Sequence, residues 1–269
     1  MIIDFHTHVF PDKIAKRTIE YLSQKGGIPP FSSATLDGLR NELKLSGVDT
    51  AITLPVVTNP AQFESINRFA ESINEQSYSE GERLISFAGI HPQCEDIEKK
   101  MDYIASRGFR GIKIHPDYQE TYINDDSYIK ILECARANDL IVVTHAGVDI
   151  GYRGMPVKCP PQLAKETIKK VPGVKLVLAH LGGAEMIDEV YDLLCGEDVY
   201  FDTAYVMRFT DREAFVRLIK KHGEDKIIFG SDSPWSSIKG DIDILHSFNL
   251  PQSTLDKILY KNAKSLLNI

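Results

Sequence analysis

Six of the eight histidines (His6, His8, His91, His115, His145 and His180) stand at or just past the ends of short apolar runs. His6 and His8 lie two apart, and on an extended strand such residues point the same way, so both imidazoles can face one cation. An isolated His-x-His pair is weak evidence. It gains weight from His145 in THAG, His180 in LAHLGG and Asp232 in FGSDSPW, which supply further ligand-type side chains later in the chain. Three or more imidazoles with a carboxylate suit Zn²⁺, or another first-row divalent ion, with a position left open for water. Such an ion brings the pKa of a bound water from about 15.7 down to about 7, so hydroxide becomes available at neutral pH. Asp232 would accept a proton there, and His180 would steady developing charge on the substrate.

Eight short apolar runs position these residues: Ile2–Phe5, Thr50–Val57, Leu84–Ile90, Gly111–Ile114, Leu140–Thr144, Lys175–Ala179, Val199–Thr203 and Lys226–Gly230. Several are apolar nearly throughout, as expected of strands covered on both faces of a parallel sheet. The stretches between them carry helical spacing, as in Phe63, Ile66, Phe69 and Ile73 within 61–76, or Phe215, Leu218 and Ile219 within 211–221. Residues 11–47 predict two helices separated by GGIPPFSS, 147–161 a loop over the mouth, and 241–248 and 254–267 closing helices. Eight strand–helix units predict an α/β fold, a (β/α)₈ TIM barrel spanning 1–269 as one domain, with the histidines gathered at the C-terminal rim. A doubly wound open sheet is the alternative, disfavoured because no glycine-rich phosphate loop follows the first strand.

The chain has 269 residues, 43% hydrophobic and 26% charged, with a formal charge of −7. That balance excludes collagen-like and broadly disordered classes and leaves no basic footprint for nucleic acid or an anionic membrane. The expected partner is a small-molecule substrate, with a homo-oligomer compatible. Cys94, Cys134, Cys159 and Cys195 are dispersed and read as reduced structural thiols. No apolar run approaches the roughly 18 residues of a membrane helix, and the N-terminus lacks a signal-type apolar region, so a cytoplasmic location is expected.

The order HTH, GIKIHP, THAG, LAHLGG and FGSDSPW, ending in a KNAKSLL helix, resembles the amidohydrolase superfamily along essentially the whole chain. Within it, these motifs look like the amidohydrolase-related group of TIM-barrel metal-dependent hydrolases, which includes the aminocarboxymuconate-semialdehyde and γ-resorcylate decarboxylases. The resemblance implies His6, His8 and His145 as nitrogen ligands, Asp232 as the carboxylate on or near the metal, and His180 as the imidazole that orients or shuttles a proton. In two-metal members the strand-six histidine binds a second ion and a carboxylated strand-four lysine bridges the pair. Lys113 stands on strand four here, so two ions are compatible, though one is favoured, with Lys113 as an ammonium facing an acidic group or an anionic substrate. His115 is a pocket hydrogen-bonder or a spare ligand. Asp4 either braces a ligand histidine or bonds the local backbone, and Asp202 is a pocket group or a strand terminator.

Lys113, His115 and Arg153 are the candidate substrate contacts, with Tyr152, Tyr205, Arg208 and Trp235 as weaker ones in the mouth loops. The expected reaction is hydrolysis of an amide, ester or lactone of a small, carboxylated molecule. Non-oxidative decarboxylation is the alternative on the same metal. Phosphoester cleavage fits less well, because the nucleases that share this opening carry a glutamate on strand four. A non-catalytic binding barrel would be expected to lack the His-x-His pair or Asp232, and both are present.

Overall fold

The computed structural model describes residues 1–80 and 84–269. Its strands run in chain order as β1 (Ile3–Thr7), β2 (Thr50–Thr53), β3 (Leu84–Ser86), β4 (Ala88–Gly89), β5 (Gly111–Ile114), β6 (Ile141–Thr144), β7 (Leu176–Leu178), β8 (Tyr200–Asp202) and β9 (Ile227–Ile228). All pair in parallel with their sequence neighbours, in two runs, β1-β2-β3 and β4 through β9. The runs are one ring. β3 and β4 are a single expected strand interrupted at Phe87, whose N–H still reaches Thr53 O at 3.0 Å. At the other seam Phe5 N donates to Phe229 O (2.9 Å), Asp232 N to His6 O (2.8 Å) and His8 N to Ser233 O (2.7 Å). These bonds close the (β/α)₈ barrel and exclude the open sheet. They also tie both halves of the expected metal site together through the backbone.

The helices that cover the ring include α1 (Asp12–Gly26), α2 (Leu36–Ser46), α3 (Phe63–Glu80), α4 (Ile97–Ser106), α5 (Asp126–Ala137), α6 (Pro161–Lys170), α7 (Ile187–Leu193), α8 (Arg212–His222), α9 (Ile238–Ser247), α10 (Gln252–Asp256) and α11 (Asn262–Leu267). Side-chain caps start several of them: Thr35 accepts from Gly38 N, Asp125 from Ser127 N, Asp211 from Ala214 N and Ser237 from Gly240 N. Strand alternation sorts the core into two layers. Ile3, Phe5, Ile52, Phe87, Val143, Val177 and Ile228 fill the inside, where Ala263, Leu266 and Leu267 of the C-terminal helix join them. Ile112, Ile114, Val142, Leu176 and Leu178 pack outward against Met101, Ile131, Leu132, Ile168 and Phe215 on the helices. Lys113 falls between Ile112 and Ile114, so the same alternation sends its side chain inward.

Most observed strands are shorter than the apolar runs at one or both ends, whereas β1 extends past its run to Thr7 and β5 matches its run. The two closing helices become three pieces, with a π-turn at Lys257–Lys261 joining the last two. All four cysteines are free, as their spacing predicts. Among the described residues no helix is long and apolar enough to cross a membrane.

Candidate metal centre

Two glycines set the geometry of the rim. A Cβ on Gly230 would lie 2.8 Å from His6 Cβ, so only glycine lets the last strand pass this close to β1. Gly147 has φ +81°, and a Cβ there would meet Ala184 N at 2.2 Å; the pair bridges the loops that follow His145 and His180. Strain marks the same rim. His180 (φ 60°), Tyr205 (φ 67°) and Asp232 (φ 69°) occupy the left-handed region, at a cost of order 1–3 kcal/mol each.

Three lone-pair atoms converge at the end of β1. His6 Nε2 lies 3.1 Å from His8 Nε2, and Asp232 Oδ1 is 3.1 Å from His8 Nε2 and 3.5 Å from His6 Nε2. Both imidazoles use the far nitrogen for the protein: His6 Nδ1 donates to Asp202 Oδ2 at 2.7 Å and His8 Nδ1 to Leu54 O at 2.8 Å. In the neutral form a ring has one proton, which these bonds place on the far nitrogen, leaving the inward one bare. Two bare nitrogens and a carboxylate oxygen at these distances repel one another unless a cation sits among them. His6, His8 and Asp232 therefore form a group able to hold a metal ion, and the donor set fits a divalent first-row cation.

The local electrostatics favour the ligand forms. Burial, and then the Lys113 charge, push His6 well below the usual imidazole range. For Asp232 burial acts upward, but the closeness of His8, His6 and His180 outweighs it and holds the carboxylate below its ordinary value. Lys113 is fully buried, and desolvation lowers it to about 8 against the pull of Asp202, Asp232 and Asp149. Its Nζ lies 3.3 Å from His6 Nε2. Lys113 is thus inside the site, as expected from strand four.

His145 and His180 form the neighbouring pair. His180 Nδ1 donates to Ala204 O at 2.9 Å, which leaves Nε2 bare and 3.0 Å from His145 Nδ1. His180 also lies beside His6, with ring centroids 5.5 Å apart. The expected ligand His145 is therefore separated from the His6–His8–Asp232 group by His180, and its ring stacks on His115 at 4.3 Å with planes 7° apart. His115 in turn stacks on Tyr118 at 3.9 Å, and its Nε2 faces Asp149 Oδ2 at 3.4 Å. One ligating atom from each of His115, His145 and Asp149 lies within 4.8 Å of the others. Stacked rings hold their lone pairs in parallel planes, whereas the inward nitrogens of His6 and His8 lie 3.1 Å apart. His115 supports His145 by stacking and faces Asp149, a place that fits both of its expected roles, pocket group and spare ligand.

Arg153 pairs with Glu185 in the exposed mouth loops and is not among the residues of the metal group. Arg208 donates to Trp235 O at 2.9 Å and lies over the Tyr205 ring. Asp4 does not brace a histidine ring; Oδ1 accepts the backbone N–H groups of His6 (3.1 Å) and Ser231 (3.0 Å), and burial pushes its carboxyl up to about 7. Asp202 takes the bracing role, with Oδ1 on the N–H groups of His180 and Ala204 and Oδ2 on His6. Asp117, Asp149 and Tyr118 escaped the sequence reading altogether. For Asp117 and Tyr118 the available signal was their place directly after His115, in HPDY.

The family model described as Amidohydrolase matches residues 3–269. No curated protein matches the chain in sequence. Among solved structures, a dihydroxybenzoic acid decarboxylase from Polaromonas sp. JS666, with bound manganese and 2-nitroresorcinol, is 15% identical with a TM-score of 0.72, covering 99% of this chain and 96% of its own. A 5-carboxyvanillate decarboxylase from Novosphingobium aromaticivorans, complexed with manganese and a nitrobenzoic acid, is 13% identical with a TM-score of 0.74, covering 100% and 96%. An uncharacterised TIM-barrel protein from Bordetella bronchiseptica is 16% identical with a TM-score of 0.74, covering 99% and 98%. With the barrel, the His-x-His group and a family match over nearly its whole length, the chain belongs to the amidohydrolase family.

Proposed function

We propose that the chain is a metal-dependent decarboxylase of a small aromatic carboxylic acid. The observation that carries this reading is the full-length likeness to two manganese-bound aromatic-acid decarboxylases, set beside the His6–His8–Asp232 group at the rim where barrel enzymes carry their chemistry. Hydrolysis, the first expectation from the sequence, has no such support among these neighbours. Manganese in both of these structures supports a divalent first-row cation, as expected, but not zinc in particular.

In this reading His6, His8 and Asp232 would hold the ion, and His145, which stands beyond His180, would reach it as a further donor through Nδ1. Bound there, a divalent cation supplies Lewis-acid polarisation of the substrate's oxygens. Lys113 Nζ, inside the barrel mouth, pairs with the substrate carboxylate. The carboxylate–ring bond breaks, CO₂ leaves, and the bonding pair stays on the ring carbon, which takes up a proton. His180 Nε2, bare and held by the Nδ1–Ala204 hydrogen bond, receives a proton from a substrate hydroxyl or solvent and returns it to that carbon. Tyr118, His115 and His145 supply a stacked wall that keeps water from one side.

The test is CO₂ release by manganese-loaded protein incubated with hydroxylated benzoic acids, in parallel with aryl lactones, esters and amides. CO₂ release that needs the ion is expected. Hydrolysis of a lactone, ester or amide with no CO₂ from any aromatic acid would overturn the reading.

A further inference from the structure

Of His6, His8, His145 and His180, three are oriented in one way: one nitrogen is given to a protein acceptor so that the other is bare. His6 uses Asp202, His8 uses Leu54 O and His180 uses Ala204 O, at 2.7, 2.8 and 2.9 Å. His145 has no such bond. Its Nε2 is buried without a hydrogen-bond partner, and so is Asp117 Oδ2; the two lie 3.9 Å apart. Asp117 is 4% exposed, and its other oxygen is anchored by Lys158 N at 3.2 Å. Stacking on His115 fixes the plane of His145, leaving its proton position as the open variable. Two acceptors compete for that one proton, His180 Nε2 at 3.0 Å from Nδ1 and the Asp117 carboxylate beyond Nε2. A charged acceptor makes the stronger hydrogen bond, and the gap closes by a small ring rotation or through one water.

We propose that Asp117 is a positioning residue that holds the His145 proton on Nε2 and so presents the Nδ1 lone pair to the metal pocket. Its consequence for metal binding rests on the reading of His145 as a ligand. Carboxylates behind metal-binding imidazoles contribute through ring orientation and basicity, and their loss typically weakens metal affinity 10–100-fold. The local sequence offers only the place of Asp117 just after His115, because the pair is formed by two strand-end loops of the closed barrel.

The experiment has two readouts on the full-length chain stripped by chelator. The first is the ¹⁵N spectrum of labelled histidine in the metal-free protein, with His145→Ala assigning the resonance. The second is manganese affinity from the free-ion signal in a titration with Mn²⁺ alone. Asp117→Asn keeps the side-chain shape and serves where Asp117→Ala fails to fold. The expected result is an Nε2–H tautomer for His145 in the unmodified chain that is lost in D117N. Manganese affinity should fall 10–100-fold, and Asp117→Asn should bring no further loss in a His145→Ala background. A His145 that keeps the Nε2–H tautomer in D117N would overturn the proposal, as would a further tenfold loss in the His145→Ala background. If His145→Ala leaves manganese affinity unchanged, it is the ligand reading that fails, while the tautomer still reports on Asp117.

Discussion

His6 has one nitrogen for the protein and one for the pocket, and Asp202 decides which is which. The Nδ1–Asp202 bond is 2.7 Å long with both side chains buried, so no water competes for the proton. Replacing Asp202 by Asn puts an amide where the carboxylate was and weakens the hold on that proton. Manganese affinity of Asp202→Asn is expected to fall 10–100-fold, read by titration against the unmodified chain; an unchanged affinity would mean that His6 orients itself. At this scale the sequence was informative about residue types and poor about partners. His6, His8 and Asp232 are legible because spacing on β1 and placement after the last strand suffice to bring them together. Asp202 reads equally as a strand terminator until the ring closes and sets it behind His6. The Arg153 partner is equally illegible, since Glu185 comes from a different loop.

Among the elements, α8 carries the titration most independent of the metal. His222, at its last position, donates Nε2–H to Val199 O at 2.9 Å and accepts Gly196 N–H on Nδ1 at 3.2 Å. The neutral ring is satisfied at both ends, stacks on Phe201 at 4.0 Å, and burial lowers its pKa to about 4. The unfolded chain takes up this proton near pH 6.5 and the folded chain only near 4, so stability from this group is present above 6.5 and is lost as pH falls towards 4. The full loss is about 3 kcal/mol, and His222→Gln should abolish that part. Denaturant unfolding at pH 7 and pH 4.5 reads it: the drop in stability should be smaller in the variant, and an equal drop in both would contradict the assignment. The elements themselves were legible, because buried parallel strands and amphipathic helices differ in period. Their ends were not. The break at Phe87 and the π-turn at Lys257–Lys261 depend on packing around the closed ring, to which a local window is blind.

For the whole molecule, closure turns a linear order of motifs into a centre. His6 and Asp232 are 226 positions apart by number, yet the backbone bond from Asp232 N to His6 O, 2.8 Å long, makes them neighbours. The floor of the barrel is apolar and closed by the C-terminal helix, whereas the strained backbone and bare nitrogens gather at the other end. That division, stability below and chemistry above, is the one expected of this architecture. The central claim is that His6, His8 and Asp232 hold a divalent cation. Equilibrium dialysis of the chelator-stripped chain against Mn²⁺, followed by elemental analysis, tests it most directly. One ion per chain is predicted for the unmodified protein, with none retained by His6→Ala under the same conditions and both chains folded by circular dichroism. An unmodified chain that binds no ion, or a His6→Ala chain that binds it equally well, would contradict the account.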